Sequence, residues 1–178
     1  MLPLTGSSSL PASLIHPGTA TGCRIQNFHL FVPVHHHPVV ELASPSFSTE
    51  ADRARAKEFA ALLNLQVVSV KESPGLAASR MGLIQGLEAM RLLEDSHASA
   101  SDLDSLMTLG YGHPCGPLEL SDRIGLDLRL AIASQLFEVT NNLVYRPPAL
   151  LKEKVANGEL GRKSGKGFFT WTHDGRKA

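Results

Sequence analysis

The chain carries no net charge: among its 178 residues, 17 Lys+Arg balance 17 Asp+Glu. With no basic surplus, the balance argues against a nucleic-acid or anionic-membrane surface as its main partner. Only two cysteines occur, Cys23 and Cys115. They are too few for a disulfide framework and read as reduced thiols of a cytoplasmic protein. No apolar run approaches the ~20 residues that span a bilayer, so no membrane helix is expected. The first twenty residues are Ser-rich but hold no Lys or Arg. They lack the basic flank of a secretory signal and the arginines of a transit peptide. Also missing is any Gly-x-Gly-x-x-Gly between a strand and a helix, the arrangement that holds a dinucleotide pyrophosphate on a helix N-terminus. Internal repeats and low-complexity tracts are absent as well.

What is present belongs to a globular chain: 43% hydrophobic and 19% charged residues, with length for one medium domain or two small ones. Residues 1–72 read as strands with one helix. Leu2 to Thr5, Cys23 to Phe31, Val39 to Ala43 and Gln66 to Val70 have strand composition. Ser46 to Asn64 reads as a helix capped by Ser48 or Thr49, with Glu50 and Asp52 in its first turn and an apolar stripe of Phe59, Leu62 and Leu63. Pro74-Gly75 breaks both periodicities and marks a boundary. Beyond it the pattern is helical. Leu76 to Glu94 is apolar nearly all round and predicts a buried central helix, in which Gly82 and Gly86 allow close approach. Ser99 with Asp102 forms a capping pair, and Gly110 ends that helix. Pro117 opens another helix and Gly125 follows its end. Leu126 to Asn141 is amphipathic, and Pro147-Pro148 opens a last helix that Gly158 stops. Phe168 to Trp171 reads as a short terminal strand or extended segment.

Two residues suggest chemistry. His29 and Glu41 lie twelve positions apart on consecutive short apolar strands. Imidazoles titrate near neutral pH, and a carboxylate on the second ring nitrogen fixes the tautomer and stabilises the imidazolium formed on proton uptake. The bland alternative is a core histidine with a satisfied hydrogen bond. His35-His36-His37 invites a metal reading, but Pro38 follows at once and no Cys or carboxylate completes a ligand spacing, so a solvent-facing turn is preferred and no metal is expected. His113, in a Gly-x-His-Pro turn, reads as a helix-entry residue.

Several segments, in order along the chain, resemble the 3-hydroxyacyl-CoA dehydrogenase family. They are Thr5-Gly6-Ser7-Ser8-Ser9-Leu10, His29-Leu30-Phe31-Val32-Pro33, Val39-Val40-Glu41-Leu42 and Pro74-Gly75-Leu76-Ala77-Ala78-Ser79-Arg80. The most specific runs from Gly110 through His113-Pro114-Cys115-Gly116-Pro117 to Asp127, and the tail matches over Leu160 to Phe169. The resemblance implies an α/β partial Rossmann-like layer followed by an all-α helical dimerisation domain. Residues 1–72 would be the C-terminal portion of the NAD-binding domain and 73–178 the C-terminal helical domain, with the glycine-fingerprint half absent.

The resemblance also implies roles. His29 would be the general base and Glu41 its orienting partner. Thr5 and Ser79 would contact substrate, and Lys163 would reach the cofactor. The implied activity is NAD-dependent oxidation of (S)-3-hydroxyacyl-CoA to 3-oxoacyl-CoA by a homodimer acting on acyl-CoA, with neither nucleic acid nor membrane as partner. The alternative is a truncated or divergent non-catalytic homologue that keeps dimerisation and an acyl-CoA groove. Three positions depart from the family pattern: Gly6, Val32 and Ser79 stand where it has Asn. An eroded polar shell and weak NAD binding by this chain alone are therefore expected.

Overall fold

The computed structural model describes residues 3–15 and 24–178. Leu2 and Cys23, read as parts of strands, lie outside them. The chain forms two compact units, Met1–Arg80 and Met81–Ala178.

The first unit is built on a four-stranded mixed sheet of β1 (Leu4–Thr5), β2 (Gln26–Leu30), β3 (Val39–Ser44) and β4 (Gln66–Lys71), in that spatial order. β1 is parallel to β2, β2 antiparallel to β3, and β3 parallel to β4. Side chains alternate across a strand, so the register sorts them onto two faces. One face places Phe28 beside Leu42 and Leu30 beside Val40. It packs on the helix α2 (Glu50–Leu62) through Ala56 and Ala60. The other face carries Thr5 beside Asn27, and His29 beside Glu41.

Helix α2 starts at Thr49, whose hydroxyl accepts the Asp52 amide while the Asp52 carboxylate accepts the Thr49 amide at 2.9 Å. The Thr49 hydroxyl also donates to that carboxylate at 2.6 Å, and this bond, with that of the Thr49 amide, holds the Asp52 carboxyl below its ordinary range. The expected apolar stripe is corrected here. Phe59, Leu62 and Leu63 are 40%, 81% and 48% exposed, whereas Ala56 and Ala60 are fully buried. Small residues four apart let the helix lie close on the sheet, and that contact decides the buried face over side-chain size. Between Ala12 and Ile15 a short helix, α1, interrupts the segment after β1, an element the composition did not indicate.

Helix α3 (Ala78–Glu94) buries Leu83, Leu87 and Met90 in the core of the second unit, together with Leu103, Leu118, Leu126, Leu136, Tyr145 and Leu151. It is not buried all round, since Met81 is 66% exposed. Helix α4 (Ala100–Ser105) is capped by the Ser99 hydroxyl and widens into a π-helical turn over Leu106–Gly110 rather than stopping at Gly110 as an α-helix. Helix α5 (Pro117–Ile124) has Gly116 as its N-cap, with no side chain to offer. Asp104 serves instead, accepting the Leu118 and Glu119 amides at 2.8 Å each. A Cβ on Gly116 would fall 2.1 Å from the Asp104 carboxyl carbon, so this cap requires glycine. Burial pushes the Asp104 carboxyl up, partly offset by those two amides.

Helices α6 (Leu126–Thr140) and α7 (Ala149–Ala156) complete the bundle. The tail after α7 makes isolated bridges, such as Trp171 with Lys177, rather than a strand. It is pinned by Asp122, which accepts the Phe168 and Phe169 amides and the Trp171 indole N–H, each at 2.9 Å. Among the described residues no helix is long and apolar enough to cross a membrane.

Candidate active site

His29 and Glu41 face each other as direct antiparallel partners on β2 and β3. Their contact, expected from the sequence, is present: Nδ1 of His29 lies 3.0 Å from Oε2 of Glu41. A carboxylate can only accept, so Nδ1 carries a hydrogen, and in the neutral imidazole Nε2 keeps its lone pair. Nε2 has no partner among the described residues. The imidazole is 16% exposed and the carboxylate 4%. The Phe31 ring lies 4.9 Å from the imidazole, an apolar wall beside the ring.

The second oxygen of Glu41 has a role that sequence patterning did not reveal. Oε1 accepts the backbone N–H of Ala77 at 2.7 Å and of Ala78 at 3.0 Å. These amides open α3, where N–H groups have no intrahelical acceptor and a negative charge is favoured. One buried carboxylate therefore orients the imidazole and caps the helix whose first turn holds Ser79.

Thr5, at the end of β1, lies on the same sheet face as His29 and accepts the Ser7 amide at 3.2 Å. Its neighbour across the register is Asn27, which sequence patterning does not single out. Asn27 is fully buried and holds the Ser-rich segment after β1 by three backbone contacts. Asparagine is depleted in strands, so an Asn two residues before the candidate base was the available signal. Lys163 belongs to the second unit, where its Nζ lies 2.6 Å from the Asp127 carboxylate. That hydrogen bond from Lys163 holds the Asp127 carboxyl below its ordinary range.

His35 and His36 lie in an exposed turn with ring centroids 4.2 Å apart. Among the described residues no group of three or more His, Cys, Asp or Glu is placed to hold a metal ion. His113 sits before α5, its amide bonded to the Met107 carbonyl.

The chain is similar to several known proteins. Among curated proteins, the 3-hydroxybutyryl-CoA dehydrogenase of Mycobacterium tuberculosis is 38% identical over 168 residues, covering 94% of this chain and 59% of that protein. The human mitochondrial hydroxyacyl-coenzyme A dehydrogenase is 32% identical, with 94% of this chain and 54% of that protein covered. The chain thus spans little more than half the length of these relatives. Among solved structures, M. tuberculosis FadB2 superposes with a TM-score of 0.89 at 36% identity, covering 95% of this chain and 60% of that one. The (S)-3-hydroxybutyryl-CoA dehydrogenase PaaH1 of Ralstonia eutropha gives 0.90 at 33% identity, with the same coverage. The family model described as 3-hydroxyacyl-CoA dehydrogenase, C-terminal domain, matches residues 75–171, more than half of the chain, and the protein belongs to that family.

Proposed function

We propose that this chain supplies the base and the substrate contacts of an NAD-dependent (S)-3-hydroxyacyl-CoA dehydrogenase of fatty-acid or related acyl-CoA metabolism. The observation that carries the reading is the 3.0 Å contact of His29 Nδ1 with Glu41 Oε2, which leaves Nε2 free to accept a proton. In this reading Nε2 takes the proton of the substrate 3-hydroxyl, and Glu41 stabilises the imidazolium that forms. Thr5 donates to the substrate oxygen. Ser79, at the start of α3, meets the acyl carbonyl with a hydroxyl shorter than an amide.

The residues present do not fit the dinucleotide itself. No glycine fingerprint exists in the chain. Val32, 85% exposed, offers no hydrogen bond, and Lys163 is engaged by Asp127. Weak NAD binding and little turnover by this chain alone follow. Exposed, apolar Val32 also favours a second reading, a non-catalytic homologue that retains acyl-CoA binding. Met81, Leu128 and Val139 remain 66%, 49% and 60% exposed on α3 and α6, which supports pairing of two copies through the helical unit. Sedimentation at micromolar concentration should show a dimer, and a stable monomer there removes that part of the proposal.

The test of function is calorimetry of the purified chain with acetoacetyl-CoA and with NADH, beside an absorbance assay of NADH oxidation. Acetoacetyl-CoA should bind, more weakly in Thr5→Ala and Ser79→Ala, and any turnover should vanish in His29→Ala. Binding without turnover in all proteins selects the non-catalytic reading. Turnover that survives His29→Ala, or failure to bind acetoacetyl-CoA, overturns the assignment of the site.

A further inference from the structure

We infer that Asn27 is a positioning residue that sets the Thr5 hydroxyl as a hydrogen-bond donor on the His29 face of the sheet. The inference rests on the proposed reading of that face as the reactive one. Asn27 is completely buried in β2. It pairs with Thr5 in the parallel register and lies two residues before His29, so the three side chains share one face. Its amide is fully used. Oδ1 accepts the Ala12 amide at 2.8 Å, and Nδ2 donates to the Ser7 carbonyl at 2.9 Å and to the Leu10 carbonyl at 3.0 Å. Every one of these partners is backbone of the Ser-rich segment. Without them that segment would have its own short-range bonds, the Gly75 amide on the Ser9 carbonyl and the Ser13 amide on the Glu72 carboxylate to hold it.

The consequence passes through Ser7. Asn27 fixes the Ser7 carbonyl, and the amide of the same residue donates to Thr5 Oγ1 at 3.2 Å. A hydroxyl has one hydrogen to give and two lone pairs to receive. With a lone pair taken by Ser7, the Thr5 hydroxyl turns its hydrogen away from that amide, and this hydrogen meets no acceptor among the described residues. A substrate oxygen held beside His29 is the kind of acceptor it suits. Aspartate at position 27 would keep the shape of the side chain but turn an oxygen toward the Ser7 and Leu10 carbonyls, which would repel it.

Two measurements test this, one independent of ligand. In the first, amide hydrogen exchange at Ser7 is followed by NMR in the wild type, Asn27→Asp and Thr5→Val. Exchange should speed up by roughly tenfold or more in both variants, while amides in the middle of β3 stay unchanged. In the second, acetoacetyl-CoA affinity is measured in the wild type, Asn27→Asp, Thr5→Val and the double variant. Each single change should weaken binding by roughly tenfold, and the double variant should be no worse than Thr5→Val alone. A purely structural Asn27 would instead lower affinity further in the Thr5→Val background, and that result overturns the inference. Unchanged Ser7 exchange in Asn27→Asp overturns it too. If no protein binds acetoacetyl-CoA, the dehydrogenase reading falls, and the Ser7 exchange rates still decide whether Asn27 fixes Thr5. Should Asn27→Asp fail to fold, Asn27→Ala carries both readouts without adding a charge.

Discussion

Glu41 binds His29 through one carboxylate oxygen and the opening amides of α3 through the other. An amide in its place could satisfy the helix with its oxygen, but would then turn an N–H toward Nδ1 of the imidazole. Glu41→Gln is therefore expected to switch His29 to the tautomer protonated on Nε2, which removes the lone pair a base needs. Nitrogen-15 shifts of the imidazole report this directly, whether or not the chain turns over substrate. Stability should change by no more than about 1 kcal/mol, because the α3 amides keep an acceptor. Glu41→Ala removes both roles, and an unfolding titration should show a loss of about 3 kcal/mol. A His29 tautomer unmoved by Glu41→Gln would refute the orienting role.

Gly82 and Gly86 stand one turn apart on α3 and should respond in opposite directions to alanine. A Cβ on Gly82 meets nothing within 4 Å, whereas one on Gly86 would fall 2.9 Å from Ser121 Oγ and 3.7 Å from Arg129 Cζ. Gly82→Ala should stabilise by about 0.5–1 kcal/mol through helix propensity. In Gly86→Ala the buried Ser121 hydroxyl must leave its 2.7 Å bond to the Pro117 carbonyl. A net loss of about 1–2 kcal/mol is expected. Thermal unfolding of the two variants side by side checks the pair, and equal shifts would contradict it.

The parts of the fold legible in the sequence are those governed by local chemistry. Thr49 and Ser99 cap helices as their spacing suggested, Pro117 opens α5, and Asn141 ends α6 in the left-handed conformation. His29 and Glu41 were legible because strand pairing brings partners on adjacent strands together. What stayed hidden depends on groups far apart in sequence. The Asp104 cap of α5 and the Asp122 clamp on the tail reach 14 and 46 residues along the chain, and no local period encodes them. The buried face of α2 does not follow side-chain size. Ala56 and Ala60 face the sheet, Leu62 and Leu63 lie toward solvent, and Phe59 is half-exposed with its ring beside Phe28.

Asp122 should be the anchor of the C-terminal tail. Its carboxylate is fully buried and has three N–H donors around it. Asp122→Ala leaves those donors unpaired, at a cost of at least about 3 kcal/mol. Trp171 is the sole tryptophan, so its emission should shift to the red as the indole loses its partner and meets water. Asp122→Asn should fall between, since its amide sets a donor against donors. Emission unchanged in the alanine variant would show that the tail is held by something else.

Acid should loosen the same tail through Glu159, which is paired with Lys154 and Lys166. The hydrogen bond from Lys154, then that from Lys166, lowers its carboxyl from 4.5 to about 2. A carboxylate whose folded value is depressed contributes stability that is complete above the unfolded value and is lost as pH falls through the folded one. The Glu159 contribution should therefore disappear between about pH 4.5 and pH 2. Unfolding midpoints of the wild type and Glu159→Gln should differ at pH 6 and converge across that window. A difference that stays constant down to pH 2 would rule out this linkage.

Arg129 should be a burden on the helical unit rather than a support. It is 4% exposed on α6, and Nη1 donates to the Gly82 carbonyl at 3.1 Å. Nε and Nη2 have no hydrogen-bond partner among the described residues, and no carboxylate forms an ion pair with this guanidinium there. Burial pushes the group down to about 10, the sign of a charge held without compensation. Replacing such a charge with an apolar side chain of similar reach removes the desolvation cost while keeping most of the packing, so Arg129→Met should raise stability by about 1–3 kcal/mol near neutral pH. The pH dependence gives an independent sign. A base whose folded value is depressed releases its proton first in the folded state, so wild-type stability should rise relative to Arg129→Met as pH climbs through about 10. Thermal unfolding of both proteins at pH 7 and pH 10.5 (roughly half a unit above that value) separates the outcomes. A methionine variant less stable than the wild type at pH 7 would mean that the guanidinium has a partner stronger than the Gly82 carbonyl.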